Sequence, residues 1–138
     1  MDIGRQVIAY KNYFLDFYSE LDDNVQAKIE WTLNLIQITQ QVPEKYFKHL
    51  TGTKGLYEVR VEVGSNIFRI FAFFDKGNVV VLWNGFQKKS QKTPKQEIKM
   101  ALKIMEEYQL EQQEKENKTK KTKKWATRKI ISRHLTKF

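Results

Sequence analysis

Two arginines, Arg60 and Arg69, sit in adjacent segments of strand-like sequence, GLYEVRVEV at 55–63 and NIFRIFAFF at 66–74. A guanidinium stays charged at every relevant pH and presents a planar fork of donors that matches a phosphate or a carboxylate. Side chains alternate along a strand, and directly opposed residues share a side. Tyr57, Val59, Val61 and Val63 therefore join Phe68, Ile70, Ala72 and Phe74 on one wholly apolar face. The other face carries Leu56, Glu58, Arg60 and Glu62 with Ile67, Arg69, Phe71 and Phe73. A Gly64-Ser65 loop sets the two arginines directly opposite, whereas a Ser65-Asn66 loop sets them diagonally, with Arg69 facing Glu62. Like charges that close repel unless carboxylates or a bound anion stand between them. On an ordinary solvated sheet Glu58 and Glu62 would neutralise the arginines. The sharper reading is a concave basic surface that holds phosphates. Lys88, Lys89 and Lys92 favour it, because they follow where the third strand ends.

The elements that must position these residues read as an α+β fold. GRQVIAYK can form a short first strand. NYFLDFYSEL and DDNVQAKIEWTLNLIQITQQVP form an antiparallel helical pair. Asp22 or Asp23 is the expected N-cap, and Val25, Ile29, Leu33 and Ile36 form one apolar stripe. Phe14 and Trp31 are read as core. EKYFKHLTGTKG is a connecting segment with turn chemistry at Gly52 and Gly55. Strands are expected at Leu56–Val63, Ile67–Phe74 and Asn78–Lys88, with a turn at Asp75-Lys76-Gly77-Asn78. Strict alternation puts Leu82, Asn84, Phe86 and Lys88 on the arginine face and Trp83 on the core face. Phe71 and Phe73 are expected to pack under a C-terminal helix. That helix should begin at Thr93-Pro94, with Thr93 as cap and Gln96 at capping-box spacing, and should fray in EQQEKENK. Lys95, Lys99 and Lys103 suit its solvated face.

Composition sets the limits. The 138 residues fit one domain with a modest core and contain no cysteine, which rules out disulfides and thiolate metal sites. No stretch is apolar enough to span a membrane, and the first residues lack a secretory pattern, so a cytoplasmic location is expected. No clustered His or Asp pattern suggests a metal site, and no cofactor is expected. The chain holds 25 Lys/Arg and 16 Asp/Glu, for a net charge of +9. Residues 114–138 hold 10 of the bases and 2 of the acids, or +8, which leaves the body at +1. The expected division is a folded domain over 1–113 and a flexible basic extension over 114–138. In that extension TKKTKK reads as a solvated linker. Trp125, Ile131, Leu135 and Phe138 hint at a short amphipathic helix.

K-x-L-x-G at Lys48–Gly52, GLYEVRV at Gly55–Val61, NIFRIFAFF at Asn66–Phe74 and LWNGFQKKSQKTPKQEI at Leu82–Ile98 together resemble the phage-derived branch of the RelE/HigB toxins. The resemblance covers roughly residues 5–110. It implies a small RelE-like domain with an N-terminal helical pair on a short antiparallel sheet, then a C-terminal helix. It also implies a type II toxin that acts as a ribosome-dependent mRNA endoribonuclease. Its partners would be mRNA, the ribosome and a cognate antitoxin, commonly of helix-turn-helix type, with operator DNA contacted only through that antitoxin. Arg60, Arg69, Lys88 and Lys89 match the family's basic site, with Glu58 as an alternative base. Lys48, Lys54 and Lys92 are candidate RNA contacts. His49 and His134 fall on no matched catalytic position. Two other functions stay open: a ParE-like gyrase poison on the same fold, and a non-catalytic nucleic-acid-binding domain whose affinity comes from the tail.

Overall fold

The computed structural model describes residues 4–89 and 93–136. The chain divides into two compact units, Met1–Met105 and Glu106–Phe138. The first unit opens with β1 (Gln6–Ala9), α1 (Tyr13–Ser19) and α2 (Asp23–Ile38). Four strands follow: β2 (Phe47–His49), β3 (Leu56–Val63), β4 (Asn66–Asp75) and β5 (Val79–Lys88). The last element, α3 (Lys95–Thr136), starts in this unit and is the helix of the second.

The five strands form one sheet in the order β1-β5-β4-β3-β2. Pairing is antiparallel from β2 to β5, and β1 adds as a parallel edge strand beside β5. The expected apolar face is present. Val59, Val61, Phe68, Ile70, Ala72, Val80 and Leu82 form one core with Phe14, Val25, Ile29 and Ile36 of the helical pair. Ile29, Ile36, Val59 and Ile70 are fully buried, and burying such a side chain contributes about 1.5–3 kcal/mol. Asp22 occupies the N-cap position of α2, but its side chain makes no capping hydrogen bond. Arg5 closes the other end of α2. Its guanidinium donates to the carbonyls of Ile36 (2.8 Å), Thr39 (2.9 Å) and Gln40 (3.2 Å) and lies 5.5 Å from the Phe74 ring centre. These carbonyls have no partner within the helix, so a cation there meets both their hydrogen-bonding need and the helix dipole.

Several expectations need correction. The connecting segment contains a strand, β2, too short to show alternation; Phe47 supplies its buried residue. Trp31 is not core but 47% exposed. Two residues on a helix turn the chain by about 200°, so Trp31 points away from the side of Ile29. Leu82 and Trp83 exchange the sides expected of them, because β5 carries a bulge. Ala72 pairs with Leu82 but Ile70 pairs with Gly85, so the sequence offset shifts by one between them. Between these pairs the two residues Trp83 and Asn84 oppose the single residue Phe71, so β5 carries one residue more than β4 there. Leu82 accordingly joins the core, while Trp83 lies on the arginine side, stacked on Phe73 (6.0 Å) and edge-on to Tyr10 (5.5 Å). Phe86 and Lys88, beyond the bulge, are on the arginine side as expected.

That side is divided along its length. One half is apolar: Leu56, Phe71, Phe73, Val81, Trp83 and Phe86, of which Leu56, Phe71, Val81 and Trp83 are fully buried. The first turns of α3 contribute Ala101, Ile104 and Met105 to the buried set, and Glu97 accepts a 3.1 Å hydrogen bond from the Asn84 side chain. Phe71 also stacks on Phe86 (5.6 Å). Thr93 does not cap α3. The carbonyl of Pro94 accepts the first helical bond, from Ile98, while the Thr93 hydroxyl donates to Glu58 at 2.8 Å. The helix also does not fray in EQQEKENK. It continues through TKKTKK to Thr136 and so includes Trp125, Ile131 and Leu135; Phe138 lies outside the described residues. No Gly or Pro follows Pro94, and Glu111/Lys115, Glu114/Lys118 and Glu116/Lys120 stand at the i,i+4 spacing that supports an exposed helix.

Candidate nucleic-acid site on the sheet

The other half of this side holds the candidate site. Its geometry follows from the β3–β4 hairpin. Val63 pairs with Asn66, so the loop is Gly64-Ser65, and Arg60 stands directly opposite Arg69. Gly64 takes φ +61°, the left-handed conformation that glycine supplies at the first position of a type II′ turn. Of the two registers open to the hairpin, this one brings the like charges closest.

Three cross-strand rows make up the site. Nearest the loop, Glu62, Ile67 and Lys88 lie side by side on β3, β4 and β5. The next row is Arg60, Arg69 and Phe86. Behind it lie Lys48, Glu58 and Phe71 on β2, β3 and β4. The first two rows open into a groove of about 580 Å³, lined by Arg60, Glu62, Ile67, Arg69, Lys88 and Lys89 together with Ser65.

Arg69 is only 3% exposed. One of its terminal nitrogens donates to the Phe68 carbonyl at 3.1 Å, and its Nε has no hydrogen-bond partner. Arg60 makes one long contact, 3.4 Å from Nη1 to the Glu44 carbonyl, and its Nε is likewise unpartnered. Burial and then the facing Arg60 push the Arg69 guanidinium below its usual pKa, with Glu58 and Glu62 pulling weakly the other way. Burial also lowers Lys88, followed by Arg69, with Arg60 and Lys48 adding and Glu58 opposing. A buried donor without a partner costs about 1–3 kcal/mol, and a facing like charge adds to that. The site is therefore held in a state that a bound anion would relieve.

The sequence-expected residues are brought together only in part. Arg60, Arg69, Lys88 and Lys89 meet in the groove. Lys48 shares their face, one row back. Glu58 is 3% exposed, hydrogen-bonded to Thr93, and does not line the groove. Glu62, passed over as a base in the sequence, does line it. Lys54 is exposed in the turn before β3, six residues from Arg60, or about 20 Å along a strand. Lys92 lies outside the described residues. Among the described residues no group of three His, Cys, Asp or Glu could hold a metal, and no helix is long and apolar enough to cross a membrane.

Among curated proteins none matches the chain in sequence. One solved structure similar to it is that of an archaeal RelE-RelB complex from Pyrococcus horikoshii OT3. It has 17% identity and a TM-score of 0.48, and the match covers 65% of this chain and 100% of that one. The family model described as phage-derived protein Gp49-like matches residues 16–106, which includes the end of α1, all of α2, the hairpin and the basic groove. The chain thus belongs to the phage-derived Gp49-like family, a RelE/toxin-like family.

Proposed function

We propose that the protein is the toxin of a type II toxin–antitoxin pair, a cytoplasmic endoribonuclease that cuts mRNA on the ribosome and is neutralised by a cognate antitoxin. The observation that carries this reading is the Arg60–Arg69 pair. It is directly opposed, buried at Arg69 and open to a groove, and among the described residues no hydrogen bond or ion pair joins either guanidinium to a carboxylate. Two forks of donors that no carboxylate contacts suit the dianionic transition state of phosphodiester cleavage. Membership of a RelE/toxin-like family supports the toxin assignment.

The groove suggests how the residues divide the work. Glu62 and Lys88 flank Ile67 in one row, their backbones about 10 Å apart at ordinary strand spacing. With the scissile phosphate on the adjacent arginine row, the Glu62 carboxylate takes the proton of the 2′-hydroxyl. The freed oxygen attacks phosphorus while Arg60 and Arg69 hold the non-bridging oxygens. The Lys88 ammonium protonates the departing 5′ oxygen, leaving a 2′,3′-cyclic phosphate and a 5′-hydroxyl. The lowered pKa of Lys88 makes its ammonium a better acid. Lys89 and Lys48 supply further charge along the backbone, and no step draws on a metal. Glu58 and Thr93 tie the entry of α3 to the sheet. The antitoxin, of helix-turn-helix type, would carry any contact with operator DNA.

The test is cleavage of mRNA on programmed ribosomes. The unaltered protein should produce 5′-hydroxyl ends, and Arg69→Met should lose them. Inhibition of gyrase supercoiling with no cleavage would overturn the reading in favour of a ParE-like action.

A further inference from the structure

A second hollow, of about 210 Å³, adjoins the groove at the β2 edge of the sheet and shares Arg60 and Glu62 with it. Its remaining lining comes from Lys28 on α2, Lys45 and Tyr46 before β2, and Gly64. Tyr46 is held in place. Its carbonyl accepts the Arg60 N–H at 2.8 Å and its own N–H donates to Pro43 at 2.9 Å. This backbone bond continues the β2–β3 register by one residue, so Tyr46 falls in the same row as Arg60 and Arg69. Trp31 meets the Tyr46 ring at 5.4 Å and 68°, an edge-on contact that fixes its tilt. The Lys28 ammonium stands 4.0 Å over Trp31 and 5.9 Å from Tyr46, and Lys45 stands 5.6 Å from Tyr46. An aromatic ring with a fixed tilt, flanked by two cations and continuous with a basic groove, has the parts of a single-strand binding site: a stacking platform and charges that follow the backbone. From β5 to β2 this track crosses three strand spacings, about 14 Å, which is longer than one nucleotide.

We infer that the Tyr46 hollow is a second nucleotide subsite, which stacks the base on the 5′ side of the scissile bond of a single-stranded RNA and sets the base preference there. The inference rests on the ribonuclease reading. Its polarity follows from the shared residue: Glu62 borders both spaces and serves the 2′-hydroxyl, which belongs to the 5′-side nucleotide. Lys88, at the far end of the row, serves the departing 3′-side nucleotide. Lys28 and Lys45 hold the next phosphate upstream, and Trp31 acts as a positioning residue for the Tyr46 ring.

The test uses the full chain on ribosomes programmed with mRNA randomised at the codon in the A site, with cleavage ends sequenced. Tyr46→Ala should lower kcat/KM about 10- to 100-fold, the worth of one base stack, and flatten base discrimination at the 5′-side position. Tyr46→Phe should keep both. Lys28→Met, on the surface of α2, guards against loss of folding and should weaken cleavage several-fold without moving the cut. Unchanged rate and preference in Tyr46→Ala and Lys28→Met would overturn the subsite and leave the Arg60–Arg69 site standing. Unchanged cleavage with lost binding of a protein partner would overturn it too, and make the hollow a protein contact. Failure of the unaltered protein to cleave would overturn the nuclease reading and this subsite with it.

Discussion

Replacing Arg69 by methionine should move stability and activity in opposite directions. Methionine nearly matches the length of the arginine stem and carries no charge. The substitution removes a buried Nε without a partner and a like charge facing Arg60. Relief of the unsatisfied donor on a buried charged group is worth about 3 kcal/mol, and relief of the cross-strand repulsion a few tenths more. Against this stands the charge-assisted bond to the Phe68 carbonyl, worth roughly 1.5–3 kcal/mol. The net expectation is a gain of about 1 kcal/mol. In urea, at a slope near 2 kcal/mol per molar, the midpoint should rise by about 0.5 M. Cleavage on programmed ribosomes should meanwhile fall about 10²- to 10³-fold, the cost of one preorganised donor at a developing charge. Phosphate gives a third readout. At ten times its dissociation constant it should stabilise the unaltered protein by about 1.4 kcal/mol and the variant much less. A variant that unfolds at lower urea than its parent would show that the guanidinium holds the sheet together, and the account of a stressed anion site would be wrong.

Three further substitutions test the scaffold and the proton chemistry. Gly85→Ala would place a methyl 2.6 and 2.8 Å from Cε1 and Cγ of Phe17 and closer still to Cδ1. A loss of about 1–3 kcal/mol is expected in urea unfolding, and a change under 0.5 kcal/mol would show that the ring moves freely. Arg5→Ala removes three hydrogen bonds to the carbonyls of Ile36, in the last turn of α2, and of Thr39 and Gln40 just beyond it. It should cost about 1–3 kcal/mol and speed hydrogen exchange in the final turn of that helix; unaltered exchange would refute the capping role. Lys88 has a folded-state pKa below its usual 10.5, so the unfolded chain binds more protons between the lowered value and 10.5. Stability should therefore rise with pH across that window, and Lys88→Met should flatten the rise. Cleavage should instead fall as pH passes upward through the lowered value, because the acid form is lost. A variant with the parent's full pH slope in stability would place the cause elsewhere.

The parts of this molecule legible in the sequence are those set by local alternation. The arginine face and its apolar reverse follow from period two over Leu56–Val63 and Asn66–Phe74, and the stripe of α2 follows from period 3.6. The choice between hairpin loops was not decidable from charge, because the register that won sets arginine against arginine. Trp31 was decidable: a helical wheel puts it opposite Ile29, and only the habit of burying tryptophan argued otherwise. Other features arise from contacts distant in sequence. Glu58 is withdrawn from the groove by Thr93, 35 residues away. Tyr46 is brought beside Trp31 by a three-residue strand too short to announce itself. Nor does any pattern in VVVLWNGFQK mark where its alternation breaks.

The break at Trp83-Asn84 bears on which changes of chain length β5 can absorb. Asn84, like Trp83 beside it, can be deleted with Leu82 and Gly85 each keeping its partner. Its loss would leave the groove in phase and cut the tie to Glu97. Deleting Gln87 instead, three positions on, would keep both lysines and every other letter of the motif, yet turn Lys88 to the opposite side of the sheet and send Lys89 to its place. Two relatives with identical motifs but a one-residue gap at different points of this strand would therefore differ in which lysine meets the substrate. For this strand, counting residues from the bulge is a surer guide to function than matching their identities.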